Sequence, residues 1–137
     1  MCQPVTAKLV PTQNLKYGIH SDTILFVEAT PRTLLDYETD DGDCPIQNWL
    51  DSLDRLTRAR IEARLKRIAL GNLSDTKSVG SGISELRLLF GSGYRVYFAE
   101  HRNTIVVLLC GGDKGSQDKD IEKAKLYWSD FKRRNNA

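Results

Sequence analysis

Cysteine, histidine and long apolar runs are scarce in these 137 residues, and each scarcity excludes something. Cys2, Cys44 and Cys110 are odd in number and widely spaced, with no Cys-x-x-Cys pair and no histidine at ligand spacing. Neither a disulfide framework nor a zinc site is expected, no other metal or cofactor is called for, and a reducing cytoplasm fits best. The two histidines, His20 and His101, read as loop residues, which leaves a serine or cysteine nucleophile without a supported base. Residues 1–22 mix Gln3, Pro4, Lys8, Pro11 and Asn14 among apolar side chains, so no signal-peptide core is present. The longest apolar run, Ile105 to Cys110, is far too short to cross a bilayer, and no membrane partner is expected.

What is there suits one globular domain. Hydrophobic residues make up 40% of the chain and charged ones 28%, enough to bury a core without staples. The net charge of +2 hides a partition. Residues 1–44 carry 3 bases against 7 acids, whereas 45–137 carry 17 against 11, so the body is basic.

Along the chain, residues 1–22 have no period and read as an irregular extension before a single domain over 23–137. Thr23 to Glu28 reads as a strand. Asp36 to Asp43 holds five acids and no base, either as a solvated loop or as an acidic mask. Pro45 starts a short helix with Ile46, Trp49, Leu50 and Leu53 at helical spacing. A second helix, capped near Asp54 or Thr57 and stopped by Gly71-Asn72, buries Ile61, Leu65 and Ile68. Its other faces carry Arg55, Arg58, Arg60, Arg64, Lys66 and Arg67, as a solvated face or as a surface for RNA or an acidic segment.

From residue 77 the period becomes alternating. Ile83 to Phe90 and Tyr94 to Glu100 flank Gly91-Ser92-Gly93 as a hairpin, and Thr104 to Cys110, apolar on both faces, reads as a central strand. Ser116 caps a last helix with Ile121, Ala124, Trp128 and Phe131 on one stripe. The fold class is α+β: a small antiparallel sheet, a meander of about three C-terminal strands plus an N-terminal one. Two helices lie between the first and second strands and one at the C-terminus, packed on one face.

If Phe90 and Tyr94 are the paired positions beside the loop, Arg87 lies opposite Tyr97 with Arg95 diagonal to it. Two guanidinium forks on one face match phosphate oxygens, unless Glu85 and nearby carboxylates neutralise them. Cys110 to Ser116 lacks the glycine spacing and the Lys-Ser/Thr pair of a phosphate loop, but Lys114 follows the central strand as a third cation.

The stretches Trp49-Leu-Asp-Ser-Leu53, Leu70-Gly-Asn72, Glu85-Leu-Arg87, Gly91-Ser-Gly-Tyr-Arg-Val-Tyr-Phe98 and Leu108-Leu-Cys-Gly-Gly-Asp-Lys114, with Gln117 and Asp120-Ile121, resemble the RelE/ParE toxin superfamily. The similarity spans about residues 24–134 and is nearest to its HigB-like branch of addiction-module killer proteins. It implies the toxin of a type II toxin–antitoxin system that cleaves mRNA on the translating ribosome and is neutralised by a cognate, often helix-turn-helix, antitoxin. Operator DNA would then be bound only through the antitoxin complex. It also implies catalytic roles for Arg87, Arg95, Tyr97 and Lys114 and RNA binding by Lys77; Arg58 and Arg64 on the basic helix join that set. Relatives with a catalytic tyrosine or histidine near the C-terminus are not matched, since Gln117 and Asp120 stand there and Tyr127 lies farther along. The alternatives are a ParE-like poison of DNA gyrase and a catalytically inactive binding module.

Overall fold

The computed structural model describes Val5–Thr6 and residues 31–135. Strands β1 (Val5–Thr6) and β2 (Thr33–Asp36) come first, then helices α1 (Pro45–Asp51) and α2 (Arg55–Ala69). Strands β3 (Thr76–Gly80), β4 (Ile83–Leu88), β5 (Tyr94–His101) and β6 (Ile105–Gly112) follow, and a 3-10 turn at Lys114–Ser116 leads into α3 (Gln117–Asn135). The strand expected at Thr23 to Glu28 lies outside the described residues, as does the extension at 1–22 apart from β1, which pairs with β2.

The α+β class holds, with two helices before the C-terminal strands and one after them; β1 and β2 stand where no strand was read, and three further corrections concern the sheet. First, the sheet is mixed. Its order is β1-β2-β6-β5-β4-β3, and β2 runs parallel to β6 while the other neighbours are antiparallel. Second, β3 is an extra edge strand; with Val79 as its single apolar side chain it offers no alternating signal. Third, helices cover both faces of the sheet. Leu86, Leu88, Val96, Phe98, Val106 and Leu108 meet Ile46, Leu50, Ile61, Leu65 and Ile68 of α1 and α2. Ile83, Tyr97, Ala99, Val107 and Leu109 meet Ala124, Trp128 and Phe131 of α3 on the other side. Strands buried on both faces need two covering layers, and each fully buried Leu, Ile or Phe contributes about 1.5–3 kcal/mol.

Local chemistry sets the element ends. Asp54 caps α2 by accepting from Thr57 N at 3.1 Å, and Pro45 stands at the first position of α1, where no N–H is needed. Ser116 turns its hydroxyl to Asp113 and Asp120, and the Asp113 carboxylate accepts from Ser116 N at 3.2 Å. Cys44 is disulfide-bonded, against the expectation of no disulfide, and Cys110 is the free cysteine among the described residues. Among the described residues no helix is long and apolar enough to cross a membrane.

Glycines at the end of β6 let two layers close on the sheet from opposite sides. A Cβ on Gly111 would lie 2.2 Å from the Trp49 ring, and one on Gly112 would lie 1.8 Å from Asp120 Oδ2. Both positions therefore exclude a side chain by contact. Gly112 pairs with Arg95 across the ladder, so this close approach fixes the start of α3 beside the arginines.

Candidate anion-binding site

Two rows of residues cross the sheet under the N-terminal end of α3. One row is Lys77, Glu85, Tyr97 and Cys110; the next is Arg87, Arg95 and Gly112. Arg87 is thus directly opposite Arg95, and Glu85 opposite Tyr97, which corrects the expected pairing of Arg87 with Tyr97. Leu88, not Phe90, pairs with Tyr94. The loop is longer than its glycines suggest because it makes its own hydrogen bonds, Phe90 N to Leu88 O at 2.9 Å and Gly93 N to Phe90 O at 3.1 Å. A shift of two residues keeps every side chain on its expected face, so the cations still share one surface.

Two like charges directly opposite are unfavourable unless something stands between them. Glu85 does. Its side chain is fully buried; Oε1 accepts from Arg87 Nε at 3.1 Å, and Oε2 lies 3.5 Å from Arg95 Nε. Oε2 also accepts from Tyr97 Oη at 3.1 Å and from Gln117 Nε2 at 2.8 Å. Burial alone would raise the Glu85 pKa, but the donors Gln117, Arg87 and Tyr97, with the charge of Arg95, more than offset it and hold the carboxyl below its ordinary value. Gln117 sits where the resemblance led one to look for a catalytic side chain; here it supports Glu85.

The other candidates fall at several distances from this centre. Arg95 is buried, donates to Gly93 O at 2.7 Å and lies beneath the surface, whereas Arg87 is partly exposed and Lys114 is exposed. A Cβ placed on Gly93 would lie 3.3 Å from Arg95 Nη1 and 3.5 Å from Lys114 Cβ, so the base of Lys114 flanks the same glycine as the Arg95 head. Lys77 is exposed on the edge strand opposite Glu85. Tyr97 is wholly buried with its hydroxyl committed to Glu85; burial first, then the Glu85 charge, push its pKa up. That position supports Glu85 and gives no access to a ligand.

Two expected RNA contacts have other work. Arg58 pairs with Asp51 and with Glu62 at 3.1 Å, and donates to Gln47. Arg64 is buried and donates to the carbonyls of Asn72 and Ser74, tying down the chain after α2. Helix periodicity does not reveal which arginine meets a carboxylate brought in by another element.

Chemically, Arg87, Arg95 and Lys114 exceed Glu85 and Asp120, the acid against Gly112, by one positive charge, and Arg87 and Lys114 face solvent. The arrangement suits an anion with several oxygens, phosphate above all.

The model of a family described as phage derived protein Gp49-like (DUF891) matches residues 48–128, more than half of the chain and all the residues of this site. An uncharacterized protein of Haemophilus influenzae is 54% identical over 80 residues, covering 58% of this chain and 81% of the relative. The Gp49-like family is distinct from RelE/ParE, so the assignment to that superfamily and to its HigB-like branch is corrected. The short motifs behind it describe a hairpin carrying cations beside a glycine loop, a pattern that does not separate one such family from another.

Proposed function

This chain belongs to the Gp49-like phage-derived protein family, and within it we propose for this protein the role of toxin in a type II toxin–antitoxin system. It is a cytoplasmic endoribonuclease that cuts mRNA on the translating ribosome and inhibits translation until a cognate antitoxin covers it. The observation that carries the reading is the positive surplus around Glu85, open to solvent through Arg87 and Lys114.

In the reaction, a ribose 2′-oxygen loses its proton and attacks the adjacent phosphorus, and the bond to the 5′-oxygen breaks as that oxygen gains a proton. The products are a 2′,3′-cyclic phosphate and a 5′-hydroxyl. The nucleophile belongs to the substrate, so no metal-activated water is needed. Arg87 and Lys114 meet the oxygens on which charge develops, and Arg95 adds its field from below, each such donor supplying about 3 kcal/mol. Neither Tyr97 nor Glu85 moves the protons, since both are buried and bound to each other. Those transfers pass through water or the ribosome holding the mRNA. The burial of Tyr97 also favours a second reading, a module that holds phosphate without cutting it.

Inducing wild type, Arg87→Ala and Lys114→Ala in bacteria and mapping mRNA 5′ ends tests the proposal. Wild type arrests growth with new 5′ ends, and each variant reduces cutting about 100-fold. Growth arrest with no new ends overturns the nuclease reading, and unchanged growth with retained phosphate binding leaves the second one.

A further inference from the structure

Between α2 and the loop after β4 runs a groove of about 310 Å³, lined by Arg60, Arg64, Arg67 and Arg87 with Leu88 to Phe90 along one side. Asp75 is the acid in its wall, and its charge acts on Arg64. Arg60 and Arg67 are exposed and have no carboxylate partner among the described residues, unlike Arg58 of the same helix. They are seven residues apart on one helix face, about 10 Å along the axis. The Arg60 guanidinium lies 3.8 Å from the centroid of the Phe90 ring, and Phe90 in turn packs on Tyr94 at 5.4 Å. The Arg60 guanidinium is therefore seated over an aromatic ring, which restrains the end of that side chain in advance. Leu89, 83% exposed, stands on the same rim.

We propose that this groove is the track for the single-stranded RNA that flanks the phosphate held at Arg87 and Lys114. The inference rests on the RNA reading above and adds where the strand runs. Arg87 is common to both places: its Nε is held by Glu85, and the residue also lines the groove. A polyanion lying over Arg87 continues round the edge of the sheet onto Arg60 and Arg67, with Asp75 the acid it passes in the groove wall. A base unstacked from its neighbours lies on the free face of Arg60, and phosphates on either side meet the other arginines. An acidic peptide would use the charges but has no use for a guanidinium seated over Phe90.

The test uses the full chain and a fluorescent RNA of about ten nucleotides, 2′-O-methylated throughout so that it cannot be cleaved. Fluorescence anisotropy measures its affinity between about 50 and 200 mM salt. The variants are Arg60→Ala with Arg67→Ala, Arg60→Lys alone, and Arg58→Ala as the paired-arginine control. The double variant should bind about tenfold more weakly, with the slope of log affinity against log salt reduced by about 0.7, the one single-strand phosphate contact at Arg67. Arg60→Lys should lose affinity while keeping the slope, because it keeps the charge and loses the plane. Arg58→Ala should match wild type. Wild-type binding unaltered in the double variant overturns the groove while leaving the RNA reading in place. No RNA binding by wild type overturns both. Tighter binding of an oligoglutamate peptide, lost in the double variant, assigns the groove to an acidic segment and overturns the RNA track.

Discussion

The molecule builds a carboxylate, a tyrosine and two arginines into one cluster twice. In one, Glu85 accepts from Tyr97, contacts Arg87 and Arg95, and is fully buried. In the other, Asp130 of α3 accepts from Tyr37 at 2.6 Å and pairs with Arg133 and with Arg134 at 2.8 Å, its side chain 23% exposed. The parts match, but the charge does not. Asp40 from the acidic loop adds a second carboxylate to the Asp130 group, 3.3 Å from Arg134, and the sum there is neutral. Around Glu85, Asp120 beside Gly112 is likewise a second carboxylate, but Lys114 beside Gly93 adds a third cation and leaves one positive charge over. A balanced group at the surface fastens the C-terminal end of α3 to the loop before α1. An unbalanced group with its carboxylate buried leaves positive charge for something else.

The largest effect that separates the two clusters comes from removing the buried acid. Glu85→Ala leaves Arg95 buried without its counter-charge, and should cost about 3 kcal/mol by urea unfolding, the low end for a broken buried pair because Arg87 reaches solvent. If Glu85→Ala were no more destabilising than Asp130→Ala, the distinction by burial would fail. Next in size is the loss of one hydroxyl. Tyr97→Phe withdraws a donor from a fully buried carboxylate and should cost about 1.5 kcal/mol, whereas Tyr37→Phe, whose partner is solvated, should cost about 0.5 kcal/mol. Equal losses in paired urea titrations would mean that the surface group is as desolvated as the buried one.

Sequence reasoning reached the fold's elements more readily than their relations. Pro45 and Asp54, the 3–4 spacing of Ile61, Leu65 and Ile68, and the alternation of Leu86 and Leu88 with Glu85 and Arg87 all act locally, and those elements stand where the residues imply. Edge strand β3 escaped notice because pairing with β4 holds it, not apolar alternation. The parallel pairing of β2 with β6 depends on residues about 70 positions apart. At the site, parity alone put Arg87 and Arg95 on one face, but the register depended on how the glycine loop bonds itself. The choice of Arg58 and Arg64 over Arg60 and Arg67 passed over one local signal, the i,i+4 spacing of Arg58 and Glu62; Asp51 and the carbonyls after α2 claim the same two arginines only once the chain is folded. The acidic run at 36–43 likewise became part of a fastening, since Asp40 meets two arginines of the last helix turns.

The smallest effect, and the sharpest test of the balanced group, is its dependence on pH. The hydrogen bond from Tyr37 first, and then those from Arg134 and Arg133, lower the Asp130 pKa to about 2 from an ordinary value of 3.8. A carboxylate whose folded pKa is depressed contributes stability that is fully present above its unfolded pKa and is lost as pH falls through the folded one. Asp130→Asn should therefore be less stable than wild type at pH 5 to 7, and the two should converge between pH 3.8 and about 2. Salt should narrow the neutral-pH gap as well, because this cluster is open to solvent. Glu85 is also depressed and loses its contribution in the same direction, but its gap should resist salt because the carboxylate is buried. Thermal unfolding of Asp130→Asn and Glu85→Gln beside wild type, in low and high salt from pH 7 downward, measures both. A gap for Asp130→Asn that ignores salt would place that carboxylate in the same electrostatic class as Glu85 and remove the contrast between fastening and anion site.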